Sequence, residues 1–245
     1  MVAPLINFFK PRRSPEKDLT ELIQGLTKSL GAHLQSVVLF GSMASGEFHA
    51  EHSDVNVMVV LDDSAFVEII SMTEPLRRWT RKGHILPIIV RSNEVRNLAR
   101  SLPIEFLDML DHHRTLHGDD PLAGLSVDPR NLRAQCEHEL TLHFLKMRQG
   151  LALVGKDEKK IRSLLIHSLP SVLAVFRNVL RLEEKVPKLS KIEAAALLAK
   201  RVGFDAEELR RLHESRFSRS TDNLDDLLIH YLDTIEKVVD YLHRV

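Results

Sequence analysis

A glycine-serine pair and two polar residues further along the chain are the residues whose types and spacing could do chemistry. Gly41 and Ser42 end an apolar run, and eleven residues later Asp54 and Asn56 begin another. Glycine lets an anion approach the backbone closely, and amides at the start of a helical turn can donate to it. A carboxylate is a preferred ligand of a hard cation such as Mg²⁺. The spacing therefore predicts a site for phosphate and a cation.

The strand that begins with the polar pair is predicted to present both residues on one face. In "DVNVMVVL", residues 54 to 61, a side-chain period of two puts Asp54 and Asn56 on the same face as Met58 and Val60. The intervening apolar residues face the other way. Asp54 and Asn56 are therefore expected to act together at the beginning of the strand.

Short apolar runs and helical segments alternate in the first half of the chain. Strands are predicted at 36–40, 55–61 and 84–90 from their length, β-branched content and flanking turn residues. Helices are predicted at about 14–31, 64–82 and 92–101. Pro75 is expected to kink or split the second helix. This half is an α/β (α+β) domain.

The second half reads as helical throughout. Residues 118–129 combine Gly, Asp and Pro without periodicity and are interpreted as a linker between domains at 1–120 and 130–245. Apolar residues then recur at intervals of three and four in five segments. These segments are about 131–155, 158–182, 189–202, 205–217 and 223–244. The pattern predicts an all-α helical bundle.

Composition gives no sign of a membrane or nucleic-acid partner. Lys and Arg total 34, as do Asp and Glu, so the formal net charge is zero and no global field attracts a polyanion. No apolar run approaches the ~18 residues that span a bilayer. Cys136 is the only cysteine, and the N-terminal charges follow the apolar stretch, unlike those of a secretory signal. We expect a soluble cytoplasmic protein.

The glycine-serine motif resembles the signature of the nucleotidyltransferase superfamily, in which Gly-Ser, eleven residues and Asp-x-Asp occur with apolar flanks. The superfamily includes aminoglycoside nucleotidyltransferases and the minimal nucleotidyltransferases of toxin–antitoxin systems. Here the motif is Gly41-Ser42 and Asp54-Val55-Asn56, with Gly46 at the second glycine, and the resemblance covers roughly residues 15–118. It implies a short mixed sheet, a nucleoside triphosphate on Gly41 and Ser42, and Mg²⁺ or Mn²⁺ at Asp54. The helical half resembles an appended domain that helps close the acceptor pocket.

Three departures from the family pattern affect the expected activity. Asn56 replaces the second acid, Ser45 replaces an arginine of the minimal branch, and "HILPIIVR" lacks the family's third carboxylate. Asn56 would be a weak neutral ligand. Loss of one charge-stabilising group commonly lowers the rate by about 10²–10³, so the site is expected to be weak or inactive. Alternatively, Glu105 or Asp108 replaces the missing acid, unless both are surface positions on an edge strand or helix.

Two functions follow from these observations. In the first, the protein binds a nucleotide and, if active, transfers NMP from an NTP to the hydroxyl of an unidentified acceptor. In the second, it is a noncatalytic, antitoxin-like module whose helical half forms a homodimer or recruits a protein. An exposed apolar stripe on the 223–244 helix would favour the second.

Two other pairs of residues could do chemistry. His49 and His52 could join Asp54 around Zn²⁺, but a flexible loop without a fourth ligand favours solvated histidines. Arg162 and His167 match the Arg-x4-His spacing of HEPN-type ribonucleases. Five helical residues rotate by ~140°, which puts these two on different faces. A surface Arg and a partly buried His are the alternative.

A basic segment, "LRRWTRKG", carries Arg77, Arg78, Arg81 and Lys82. It could contact phosphates of a nucleotide or RNA. Because no aromatic residues are interleaved and the chain is neutral, a solvated helix face is favoured. Trp79 is expected to pack against the sheet.

Overall fold

The computed structural model describes residues 14–46, 54–63, 67–183, 189–214 and 224–244. These residues form two compact units, with the division between Val127 and Asp128. The N-terminal unit contains a sheet and short helices, and the C-terminal unit contains helices.

The sheet of the N-terminal unit has four strands. They are β1 (Leu34–Phe40), β2 (Asn56–Leu61), β3 (Ile88–Arg91) and β4 (His113–Gly118), in the order β3-β2-β1-β4. Strand β1 is antiparallel to both of its neighbours, whereas β2 and β3 are parallel. The short mixed sheet that the family resemblance implied is confirmed.

Helices cover both faces of this sheet because β2 is apolar on both sides. The helices are α1 (Pro15–Leu30), α2 (Ser42–Ser45), α3 (Thr73–Arg81), α4 (Val95–Ser101) and α5 (Pro103–Asp111). Val57 and Val59 are buried in a cluster that contains α1 residues and Trp79, as predicted for the tryptophan. Met58 and Val60 are buried on the other face, with Phe106 of α5. The predicted alternation along β2 is confirmed.

The third strand is shorter than predicted. The predicted strand covers residues 84–90, but only residues 88–91 pair with β2. His84 is hydrogen-bonded to Asp18 of α1, and the carbonyl of Ile85 accepts from Trp79 Nε1 at 2.6 Å. Pro87 has no amide proton to donate to a ladder. Because His84 and Ile85 contact α1 and α3, the strand begins only at Ile88.

The segment around Pro75 is divided as the sequence indicates. A 3₁₀ helix at Val67–Met72 precedes α3, and Pro75 lies in the first turn of α3. A proline has no amide proton, but the amides of a helix's first turn have no partner within the helix. Pro75 therefore costs α3 no hydrogen bond. Residues 64–66 lie outside the described part of the chain.

The C-terminal unit is the predicted helical bundle. Its helices are α6 (Pro129–Val154), α7 (Glu158–Arg181), α8 (Lys191–Val202), α9 (Ala206–Glu214) and α10 (Leu224–Leu242). Side-chain caps fix several helix starts: Asp128 accepts from the amide of Arg130, and Ser190 from that of Glu193. These boundaries lie within a few residues of the predicted ones.

Helix α7 is the core helix of this bundle. By length and composition it is also the one helix, among the described residues, that could cross a membrane. Half of its most apolar 18-residue window is buried inside the protein. Leu165, Leu169 and Phe176 are fully buried. A buried core helix satisfies the same criteria, so α7 is weak evidence for a membrane span.

Candidate functional site

The turn between β1 and α2 is held by backbone hydrogen bonds around Gly41. Its amide donates to the carbonyl of His112 at 3.1 Å, and its carbonyl accepts from Ala44 and Ser45 at 2.9 and 3.0 Å. Gly41 has φ 76° and ψ −152°, a backbone conformation that only glycine adopts readily. The tight turn therefore depends on glycine at this position.

Helix α2 starts directly after this glycine. Met43 and Ala44 pack against the apolar cluster on the α1 side of the sheet, which fixes the short helix to the core. Ser42 is half-buried. The amides of Ser42 and Met43 precede the first hydrogen bond within the helix, and such amides require acceptors from outside it. The turn thus presents donors suited to an anion.

Asn56 lies beside this turn. It is paired with Phe40 across the β1–β2 ladder and is half-buried. A β-carbon built on Gly41 would lie 2.9 Å from Asn56 Nδ2 and 3.9 Å from Asn56 Cγ. The Asn56 side chain therefore packs directly against the Gly41 α-carbon.

Asp54 precedes β2 by two residues and is exposed. Val55, between Asp54 and Asn56, is 2% exposed and packs on the α1 side. The alternation along β2 places Asn56 on the face of Met58 and Val60. Asp54 lies two residues before it, where the chain enters the strand.

The two candidate replacement acids lie on α5, so they are on a helix and not on an edge strand. Glu105 is exposed at a groove of about 420 Å³ that is also lined by Met58, Ile88 and Phe106, and Asp108 is half-buried. Glu105 is thus on the same side of the sheet as Asn56. However, the described residues contain no group of three or more His, Cys, Asp or Glu that could hold a metal ion.

The other sequence candidates have different surroundings from those expected. His49 and His52 lie outside the described residues. His167 is exposed and donates from Nδ1 to the carbonyl of Ser163 at 2.6 Å, whereas Arg162 is half-buried. The expectation of a surface Arg and a partly buried His is therefore wrong, because α7 turns Arg162 toward the bundle and His167 toward solvent.

The basic segment is not one solvated face. Arg77, Arg78 and Arg81 are exposed, but the Lys82 side chain is 16% exposed and pairs with Asp18 at 2.7 Å and with Glu21. The reason is that Lys82 ends α3 where that helix meets α1. Sequence analysis overlooked this ion pair because its partners are 64 residues apart. The sequence signal for this pair was Asp18, an acid among the leucines of an otherwise apolar helix face.

A second polar contact joins the same elements. His84 Nε2 lies 2.9 Å from Asp18 Oδ2, and the His84 ring stacks on Trp79 with centroids 3.9 Å apart. A groove of about 600 Å³ runs along α1 and α3 beside these residues. Acidic and basic side chains that line this groove pair with each other. We therefore interpret these ion pairs as structural support for the contact between α1 and α3.

Comparisons with known proteins agree with the fold. Residues 19–108 match the family model of the nucleotidyltransferase domain. A solved structure of spectinomycin adenyltransferase AAD(9) from Enterococcus faecialis, with ATP and spectinomycin, superposes with a TM-score of 0.57 at 13% sequence identity. The alignment covers 93% of this chain and 99% of that one. No curated protein sequence matches the chain. These findings support a nucleotidyltransferase domain in the N-terminal unit and, for the chain with its helical C-terminal region, a fold similar to that of AAD(9).

Proposed function

We propose that the chain binds a nucleoside triphosphate at Gly41, Ser42, Asp54 and Asn56, and that it transfers the nucleotide slowly or not at all. The observation that carries this proposal is the contact between Asn56 and Gly41 at the start of β2. In this contact, the turn that the family resemblance predicts to bind phosphate lies beside a strand that has one acid at the two motif positions.

Binding is supported by the geometry of the turn. Gly41 lacks the β-carbon that would obstruct an approaching phosphate, and the amides of Ser42 and Met43 are suited to donate to it. The fold is similar to that of AAD(9), whose structure contains ATP. This similarity favours a nucleotide over other anions as the ligand.

Weak or absent transfer is supported by the charges of the site. Nucleotidyl transfer depends mainly on stabilising negative charge on the transferred and leaving phosphates, usually by divalent cations. Residual transfer of NMP to an acceptor hydroxyl would use Mg²⁺ or Mn²⁺ at Asp54 and Glu105 or Asp108 as the missing acid. Among the described residues, no group of three His, Cys, Asp or Glu that could hold a metal ion includes these acids, and residues 47–53 lie outside the described part of the chain.

The antitoxin-like alternative has less support. It would be favoured by an exposed apolar stripe along α10, but most large apolar residues of that helix are buried within the bundle, namely Leu224, Leu227, Tyr231, Ile235, Val238 and Leu242. Ile229, 64% exposed, is an isolated exception on the described α10. We therefore retain nucleotide binding as the proposed function.

Binding can be tested by calorimetric titration of ATP, GTP, CTP and UTP into the protein with MgCl₂. We expect at least one nucleotide to bind. Gly41→Ala should weaken binding by about tenfold or more, since it strains the turn and displaces Asn56. Gly124→Ala is the matched control, because Gly124 also has a positive φ of 69° but nothing within 4 Å of an added β-carbon. Failure of every nucleotide to bind the unaltered protein would refute the proposal.

Transfer can be tested by pyrophosphate release from ATP with Mg²⁺ or Mn²⁺, using water and spectinomycin as acceptors. We expect release to be slow or indistinguishable from that in buffer. Sustained release that stops in Asp54→Asn would contradict the weak-site part of the proposal and leave the binding part intact.

A further inference from the structure

An apolar surface lies along the edge of the sheet at β3. This strand is at one end of the order β3-β2-β1-β4, and among the described residues it pairs only with β2. Four large apolar side chains on the strand, just before it and at the start of α5 are between 37% and 61% exposed, namely Ile85, Leu86, Ile88 and Leu102. Unpaired strand edges and exposed apolar patches commonly mark sites of association.

The groove beside this edge has apolar walls and an acidic rim. Its volume is about 420 Å³, and Ile88 and Phe106 are among its apolar lining residues. The charged side chains among its described lining residues are both acids, Glu94 and Glu105. Glu94 pairs with Arg91 at 2.7 Å, so one cation already lies at this rim. An occupant that combines apolar and basic side chains is complementary to such a groove.

The N-terminal segment of the chain, residues 1–13, has this composition. It lies outside the described part of the chain. Its sequence "MVAPLINFFKPRR" contains a run of mostly apolar residues at 5–9, between Pro4 and Pro11. Ile and Phe favour strands, and proline is tolerated at the ends of an edge strand. Its charged side chains are all basic, namely Lys10, Arg12 and Arg13.

The segment is long enough to reach the edge of β3. It is followed by Ser14 and α1, and Asp18 of α1 is hydrogen-bonded to His84, four residues before Ile88. Four helical residues rise about 6 Å, and four extended residues span at most about 14 Å. The chain from Leu5 to Ser14 spans up to about 30 Å when extended. Residues 5–9 are therefore within reach of β3.

We propose that residues 5–9 add to the unpaired edge of β3 as a further strand. Main-chain hydrogen bonds hold such an added strand, and its alternate side chains fill pockets beside the sheet. Here the apolar side chains occupy the groove, and the basic residues that follow them lie near Glu94 and Glu105. The segment thereby covers an apolar edge that is otherwise open to association. This contact does not depend on the proposed nucleotide site.

The test is hydrogen exchange of the unaltered protein, measured by mass spectrometry. We expect the amides of residues 5–9 to exchange at least about tenfold more slowly than those of a synthetic peptide of residues 1–13, because paired amides are protected. The double variant Phe8→Asp, Phe9→Asp puts a carboxylate on each face of the added strand and should remove this protection. The double variant Val2→Asp, Ala3→Asp is the matched control, since it adds the same charge outside residues 5–9 and should retain the protection.

Leu102→Asp tests the same contact from the side of the groove. Leu102 is the N-cap residue of α5, a position at which Asp is favourable, so the fold should be retained. Thermal unfolding checks this. The new carboxylate should restore peptide-like exchange in residues 5–9. Leu153→Asp is the control, because Leu153 is 88% exposed and lies in the C-terminal unit.

Three results would overturn the proposal. The first is exchange of residues 5–9 in the unaltered protein at the rate of the synthetic peptide. The second is protection of these residues that persists in Leu102→Asp, since the segment would then be docked elsewhere. The third is protection of β3 that rises with protein concentration while residues 5–9 stay unprotected, which would assign the edge to a second copy of the chain.

Discussion

Lys82 Nζ lies 2.7 Å from Asp18 Oδ1, and the Asp18 side chain is only 5% exposed. This pair joins the end of α3 to the first turns of α1. Removal of one partner from a buried ion pair leaves an uncompensated charge and typically costs about 3–5 kcal/mol. We expect Lys82→Met to lower the free energy of unfolding by an amount near the lower end of that range, measured by urea denaturation.

The same helix offers a control for this prediction. Arg78 pairs with Glu74 at 3.0 Å, with both side chains more than half exposed. Exposed pairs contribute about 0–1 kcal/mol, so Arg78→Met should have little effect. Equal losses of unfolding free energy for Lys82→Met and Arg78→Met would show that the Lys82–Asp18 pair contributes no more than an exposed ion pair.

Asp18 should also make the N-terminal unit sensitive to acid. Burial raises the pKa of Asp18, but hydrogen bonds from Lys82 and His84 outweigh this effect and hold the pKa below its ordinary value of 3.8. The stabilisation is therefore complete above about pH 3.8 and is lost as the pH falls through the lower folded value. Acid unfolding of Asp18→Asn, followed by circular dichroism, should show a weaker pH dependence in this range. An unchanged acid transition would contradict the prediction.

His143 should give the C-terminal unit a second, separate pH dependence. Its Nε2 lies 3.0 Å from Tyr231 Oη, which in turn lies 2.7 Å from Ser168 Oγ. A consistent network has His143 donating to Tyr231, Tyr231 to Ser168, and Ser168 to the carbonyl of Leu165. Burial, with a smaller contribution from Lys146, lowers the pKa of His143 from 6.5 to about 4.

Between these two pKa values the unfolded chain binds a proton at His143 that the folded chain does not. The free energy of unfolding should therefore fall as the pH drops from 6.5 toward 4, by at most about 1.4 kcal/mol per pH unit. His143→Gln should remove this component, measured as the difference between its stability profile and that of the unaltered protein. An unchanged pH slope in His143→Gln would contradict this prediction.

Gly118 should be far less tolerant of substitution than Gly124. Both have a positive φ, of 70° and 69°, which costs other residues roughly 1–2 kcal/mol. A β-carbon on Gly118 would also lie 1.8 Å from the carbonyl oxygen of Gln35, whereas one on Gly124 meets nothing within 4 Å. Gly118→Ala should thus lower the melting temperature well beyond Gly124→Ala, because it disrupts the β1–β4 pairing. Similar melting temperatures would contradict this explanation.

The sequence alone determined the fold class and the position of the Gly-Ser and Asp-x-Asn motif. Both depend on local patterns: the period of two along 55–61 fixes which β2 residues are buried, and the bundle helices follow from apolar residues every three or four positions. The Gly41-Ser42 motif and the spacing to Asp54 are likewise contained in one short stretch of chain.

Tertiary structure decided the relationships between residues that are distant in sequence or whose orientation depends on packing. The Lys82 ion pair exists because α3 ends beside α1. The contacts of His84 and Ile85 make β3 shorter than its apolar pattern predicts. Neither contact leaves a local periodicity. Similarly, the sequence identified Asn56 as the residue that replaces the second acid, but only the structure places its amide nitrogen against Gly41. A carboxamide has both a donor and an acceptor, and its tertiary surroundings determine how it is oriented.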